Sequence, residues 1–128
     1  MEGELKMGNN YGLSNTEMQI MELLWKTEYP LAFKEIMSVA QNECGKKWKA
    51  QTLNTYLINL QKIKMVGTDR STTHYLYYAL CSKEELVHNW TRQLVRECFD
   101  NSISRLFAAF IGNEKLSENE AEELKKLL

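Results

Sequence analysis

The stretch KKWKAQTLNTYLINLQKIKMVGTDRSTTHYLYYAL, residues 46–80, decides the fold. Its apolar residues recur first about every 3.6 positions and then every second position. Ala50 to Lys64 reads as a helix with Leu53, Leu57, Leu60 and Ile63, joined by Tyr56, on its inner face. The outer face is polar but almost uncharged: Gln51, Thr52, Asn54, Thr55, Asn59, Gln61 and Lys62. Met65 to Asp69 then reads as a short strand, Arg70 to Thr73 as a polar turn, and His74 to Leu80 as an aromatic strand. Two strands around a small polar loop form a hairpin.

Upstream, Tyr29-Pro30 separates two helical patterns. The first runs about Asn15 to Thr27 with Met18, Ile20, Met21, Leu24 and Trp25 apolar. Leu31-Ala32 is a short extended piece. The second helix, about Phe33 to Asn42, carries Phe33, Ile36, Met37 and Ala40 on one face, and Cys44-Gly45-Lys46-Lys47 is a turn. Three S-x-x-E capping boxes mark helix starts at Ser14–Glu17, Ser82–Glu85 and Ser117–Glu120. Each has a staple pair around it: Leu13 with Met18, Cys81 with Leu86, Leu116 with Ala121. The predicted class is mainly α with a small β-hairpin wing. It comprises a flexible N-terminus (1–12), a winged helix-turn-helix domain (13–81) and a C-terminal helical dimerisation domain (82–128).

Composition narrows the function. The chain of 128 residues is 44% apolar and 26% charged with one proline, which excludes disordered and low-complexity classes. No apolar run approaches the roughly 20 residues of a membrane span. The start, MEGELKMGNNYG, is no signal peptide. Three cysteines, Cys44, Cys81 and Cys98, argue against a disulfide framework and for the cytoplasm. Their spacing with only two histidines, His74 and His88, gives no zinc site. No nucleophile lies at a telling spacing from either histidine, and no glycine-rich loop cradles phosphate, so neither an enzyme nor a cofactor is expected. The net charge of −1 hides a segregation: residues 1–43 carry −4, residues 44–81 carry +5 and residues 82–128 carry −2. A basic segment inside an acidic chain marks a phosphate-contacting surface, with a plain solvated face as the competing reading.

The turn and third helix then form a major-groove reader, with the hairpin as wing. Gln and Asn pair bidentately with adenine, and a Thr methyl packs on the thymine methyl. A merely solvated helix face favours Glu, Lys and Ala, whereas this face gives up helix propensity. Lys46, Lys47 and Lys49 precede the helix, whose N-terminal amides also favour phosphate. Lys62 lies on the same face, and Arg70, Ser71, Thr72 and Thr73 at the wing tip suit the DNA backbone. From Ser82 on, Leu86, Trp90, Leu94, Cys98, Leu106 and Phe110 recur at helical spacing, thickened by Val87, Val95, Phe99, Ile103 and Phe107. Asp100 or Asn101 is expected to cap a new helix within this stretch. The last helix keeps Ala121, Leu124, Leu127 and Leu128 apolar. An unbroken helix from Ser82 to Phe110 would run roughly 43 Å, longer than an 80-residue domain, about 30 Å across. A two-fold partner covers the stripe best, with folding back on the N-terminal domain as the other solution. Leu86, Trp90, Leu94, Phe99, Ile103, Leu106, Phe107, Phe110 and Leu124 are the expected dimer interface, and Cys98 is expected as a buried apolar cysteine.

Several stretches together resemble the penicillinase-repressor (BlaI/MecI/CopY) family of bacterial transcriptional regulators, over about Leu13 to Leu128. They are Leu13-Ser14-x-x-Glu17-x-x-Ile20-Met21-x-x-Leu24-Trp25, Thr52-Leu53-x-Thr55-x-x-x-x-Leu60-x-Lys62, Tyr75-x-Tyr77-Tyr78-x-Leu80 and Leu116-Ser117-x-x-Glu120-x-x-Glu123-Leu124. The resemblance implies a homodimeric repressor on an inverted-repeat promoter operator. By matching position it implies Gln51, Thr52, Asn54, Thr55 and Asn59 as base readers, and Ser14 and the wing as phosphate contacts. Four positions depart from the family pattern: Gln51 stands where Lys is frequent, Asn59 where Arg is usual, Lys64 where Gly closes the helix and Lys49 where Ser or Thr caps it. Some members are cleaved by a membrane-bound antibiotic sensor at an Asn-Phe bond; the matching bond here is Ala109-Phe110. Copper-responsive members carry a cysteine-rich tail, which this chain lacks after Cys98. Alternatives from another class are a winged-helix protein-interaction module and a co-regulator that does not bind DNA on its own.

Overall fold

The structure, a computed structural model, describes residues 10–128. Of the flexible N-terminus expected over residues 1–12, residues 1–9 lie outside the described residues, whereas Asn10–Gly12 form a 3-10 turn whose Tyr11 packs against the core. The chain is mainly helical with one small antiparallel sheet, as the sequence predicts. After a 3-10 turn at Asn10–Gly12 come α1 (Asn15–Lys26), β1 (Leu31–Ala32), α2 (Phe33–Cys44), α3 (Ala50–Lys62), β2 (Val66–Asp69) and β3 (Leu76–Ala79). Then follow α4 (Lys83–Cys98), α5 (Ile103–Ile111) and α6 (Glu118–Leu127). The chain divides into two compact units, one reaching Trp90 and the other comprising Thr91–Leu128.

Capping chemistry sets the helix starts. The Ser14 hydroxyl accepts the Glu17 amide at 3.1 Å, and the Glu17 carboxylate accepts the Ser14 amide at 2.8 Å, so this box is complete. At Ser82 and Ser117 only the forward half forms, the Glu85 and Glu120 amides donating to the hydroxyls. Helix α2 is capped from the other side: Glu35 accepts the Ala32 amide at 2.9 Å. It stops at Gly45, whose φ of +64° is free of strain only for glycine. The Lys46 amide then returns to the Ala40 carbonyl at 2.9 Å, which fixes the turn into α3.

Leu31-Ala32 is more than an extended piece. It pairs antiparallel with β3, Leu31 opposite Tyr77 and Ala32 opposite Leu76, so the hairpin becomes a three-stranded sheet of order β1-β3-β2. Between β2 and β3, Gly67 lies opposite Tyr78. A β-carbon at Gly67 would stand 2.5 Å from the Tyr78 ring, so the ring's approach requires glycine there. Ile20, Met21, Leu31, Ile36, Leu53, Leu57, Leu60 and Val66 are fully buried and form one core from all three helices and the sheet. The Trp25 indole N–H donates to the Cys81 carbonyl at 2.7 Å, tying α1 to the chain just past β3.

Two expectations change. Ile63 is 54% exposed and not on the inner face, because α3 ends at Lys62 and the chain leaves the helix there. Neither Asp100 nor Asn101 caps α5: both take left-handed backbone (φ 52° and 58°), and the Ser102 hydroxyl accepts the Arg105 amide. Cys98, like Cys44, is exposed in the single chain. In the Thr91–Leu128 unit Val95 alone is buried among the described residues, and Ile103, Phe110 and Leu127 are exposed.

Candidate nucleic-acid interface

Helix α3 anchors itself with Leu53, Leu57 and Leu60, each fully buried, and so turns its polar side outward. Gln51, Asn54, Thr55, Asn59 and Lys62 are exposed and Thr52 half-buried. Gln51, Thr52, Thr55 and Asn59, with Lys49 and Tyr56, line one shallow open groove of about 340 Å³. The Thr55 hydroxyl donates to the Gln51 carbonyl at 3.0 Å, which satisfies its proton inside the helix. Gln61, on the same predicted face, is taken up elsewhere. Its amide donates to the Leu57 carbonyl at 3.1 Å, and its oxygen accepts the Thr68 hydroxyl at 2.8 Å, linking α3 to β2.

The start of α3 has no side-chain cap, since Lys49 at the cap position makes no such bond. Its first amides therefore stay open to an acceptor, next to the exposed Lys46, Lys47 and Lys49. None of these lysines, nor Lys62 or Arg70, forms an ion pair with another described residue. A second groove, about 360 Å³, brings Ser14 and Glu17 at the start of α1 beside Tyr56, Asn59, Lys62 and Ile63. Ser14 and the α3 positions thus share one side of the winged unit.

The wing is internally bonded. The Asp69 carboxylate accepts the Ser71 hydroxyl at 2.6 Å and the Ser71 amide at 2.9 Å. Those bonds, the hydroxyl's first and the amide's second, hold the Asp69 carboxyl below the ordinary range. The Thr72 hydroxyl donates to the His74 carbonyl. Both hydroxyl protons are thereby committed, and Arg70 is left as the wing's charged donor. Its guanidinium stacks over the Tyr75 ring at 5.0 Å, which restrains a long side chain at the tip.

Two residues expected at a dimer interface already have partners in the winged unit. Leu86 is only 9% exposed and belongs to that unit's core. Trp90 meets Tyr11 edge to face, ring centres 5.7 Å apart, a contact that no helical period signals. Leu94, Phe99 and Leu106 are half-buried, and Ile103, Phe107 and Phe110 exposed. Leu106, Phe107, Phe110, Leu116, Leu124 and Leu127 line an apolar groove of about 370 Å³ between α5 and α6, edged by Glu120 and Glu123. Ala109 and Phe110 are both exposed within α5.

Other chemistry is sparse. Burial first, and the Glu85 charge second, push the Cys81 thiol up, the opposite of what an activated thiol needs. No cluster of His, Cys, Asp and Glu suited to a metal ion occurs among the described residues. Among the described residues no helix is long and apolar enough to cross a membrane.

Comparison with known proteins matches residues 13–128 to the family model described as penicillinase repressor. Among curated proteins the chain is similar to the methicillin resistance regulatory protein MecI of Staphylococcus aureus strain N315, 23% identical over 118 residues. That alignment covers 92% of this chain and 94% of the relative. The protein of the same name from Mammaliicoccus sciuri is 22% identical over the same shares of the two chains.

Proposed function

Because the chain belongs to the penicillinase repressor family, a family of transcriptional repressors and not of enzymes, we propose that it represses transcription as a homodimer on an inverted-repeat operator. The observation that carries this reading is the outer face of α3. Its exposed amides and hydroxyls have no part in the core, and they stand behind an uncapped helix start flanked by three lysines. In the major groove, Gln51, Asn54 and Asn59 offer paired hydrogen bonds to adenine, and Thr52 and Thr55 offer methyl groups to thymine. Lys46, Lys47, Lys49, Lys62, Ser14 and the wing, through Arg70 and Thr73, hold phosphates and set the register, while Ser71 and Thr72 spend their donors on shaping the wing tip.

The C-terminal section supplies the second protomer. The exposed apolar side chains of α5, with Leu94, Phe99 and Leu124, form the two-fold contact, and Leu86 and Trp90 steady the winged unit instead. Two α3 helices then meet half-sites one helical turn, or a multiple of it, apart. Release follows cleavage of the Ala109–Phe110 bond by a membrane-bound sensor protease. Both residues are exposed, and the bond lies in the last turn of α5, where only that turn has to open. The relatives are named as regulators of methicillin resistance, and genes of antibiotic resistance are the corresponding class of targets.

The test is the variant Thr52→Ala/Asn54→Ala. Sequence preference is expected to relax while non-specific binding survives. A uniform loss on every sequence would make these residues positioning contacts and overturn the base-reading role.

A further inference from the structure

Helix α3 carries one outward side chain that neither the core nor the polar face explains. Ile58 is 42% exposed. At about 100° per residue it stands some 20° from the Gln51 line, inside the outward sector. Its helical neighbours are Asn54 and Thr55 one turn before, and Gln61 and Lys62 one turn after, so every one of them is polar. Exposed Ile63 lies five positions on, about 140° around the helix, and adds nothing to an apolar patch here. A single exposed apolar residue is ordinary on a surface. A β-branched one at an exposed helical site, however, gives up propensity and leaves much of its apolar surface in water.

We infer that Ile58 reads the C5 methyl of a thymine, an inference that rests on α3 lying in the major groove. The floor of that groove is a row of hydrogen-bond donors and acceptors, and its apolar feature is the thymine methyl. An aliphatic side chain flanked by amides and a hydroxyl matches such a floor at one base and mismatches it at every other. The branch at Cβ restricts χ1, so the methyl groups are held in place before binding. Ile58 therefore favours thymine over cytosine at one position of each half-site, where the amide side chains around it select adenine.

The experiment uses the full chain and DNA duplexes that it selects from a randomised library. Each thymine of the selected site is replaced in turn by deoxyuridine, which removes only the methyl. For the natural chain, one position per half-site beyond those met by the Thr52 and Thr55 methyl groups is expected to weaken binding about fourfold, and roughly fifteenfold when both half-sites are substituted. Ile58→Ala, a substitution at an exposed site by a better helix former, is expected to bind thymine and deoxyuridine duplexes alike at that position. Ile58→Val, which keeps the branch, is expected to retain the sensitivity. Selective binding with no deoxyuridine-sensitive thymine, or a set of sensitive positions that is the same in Ile58→Ala as in the natural chain, overturns the inference and leaves DNA reading by α3 standing. Failure of the selection to enrich any sequence overturns that reading, and the inference with it.

Discussion

Replacing Lys46, Lys47 and Lys49 together by glutamine tests whether the turn before α3 grips phosphates. Fold disruption is not expected. The turn is held by the left-handed Gly45 and by the Lys46 backbone amide on the Ala40 carbonyl, and all three side chains are exposed. With Lys62 and Arg70, these lysines make five candidate phosphate cations per protomer, hence about ten in a dimer. Each neutralised phosphate contributes about −0.9 to the slope of log affinity against log salt, so the natural dimer should approach −9. Removing six lysines should bring the slope to about −4. Between 50 and 200 mM salt, that is roughly a 10⁵-fold loss of affinity for the natural chain and roughly 10² for the variant. Fluorescence anisotropy of a labelled operator duplex across that range reads both slopes. A slope that stays within about one unit of the natural value would mean that phosphates are met elsewhere, and the assignment of this turn would fail.

Phe110→Glu introduces a charge into the exposed stripe of α5 and is expected to yield monomers in sedimentation velocity; a persisting dimer would move the interface away from α5. Lys64→Gly relieves a side chain held at φ +62° and is expected to raise stability by about 0.5–1 kcal/mol in urea titration. A loss instead would mean that the lysine side chain contributes more than its backbone costs. Trp25→Phe leaves the Cys81 carbonyl without its 2.7 Å donor and should cost about 1–2 kcal/mol. No change in the same titration would mean that water replaces the indole.

What could be read from the sequence was local. Ser14, Ser82 and Ser117 announce their helices because capping acts over three residues. The switch from helical to alternating period at Met65 announces the hairpin for the same reason. Pairings across the chain were less legible. Nothing in Leu31-Ala32 says that Tyr77 and Leu76 are its partners, and a two-residue strand is too short to carry a period. Leu86 and Trp90 continue the apolar stripe of the C-terminal section, yet their partners are the core of the winged unit and the Tyr11 ring. One period cannot tell a helix's two neighbours apart. At the candidate site, residue types pointed to base and phosphate contacts, but which donors are free depends on geometry. Gln61, Ser71 and Thr72 have the right chemistry and use it internally. Lys64 is a different case. Its departure from a glycine is plain in the sequence, and the left-handed backbone there supplies the physical reason why the departure matters.

Sequence-selective binding of DNA by a dimer is the property on which the other expectations depend. The most direct measurement is a gel shift of the purified chain on the DNA upstream of its own gene, at two salt concentrations, against scrambled competitor, with the stoichiometry of the complex determined. A complex of two protomers that survives the scrambled competitor and weakens steeply with salt is expected. Absence of any selective complex at low salt would contradict it, and would favour a winged-helix module that binds protein or acts on DNA only through a second regulator.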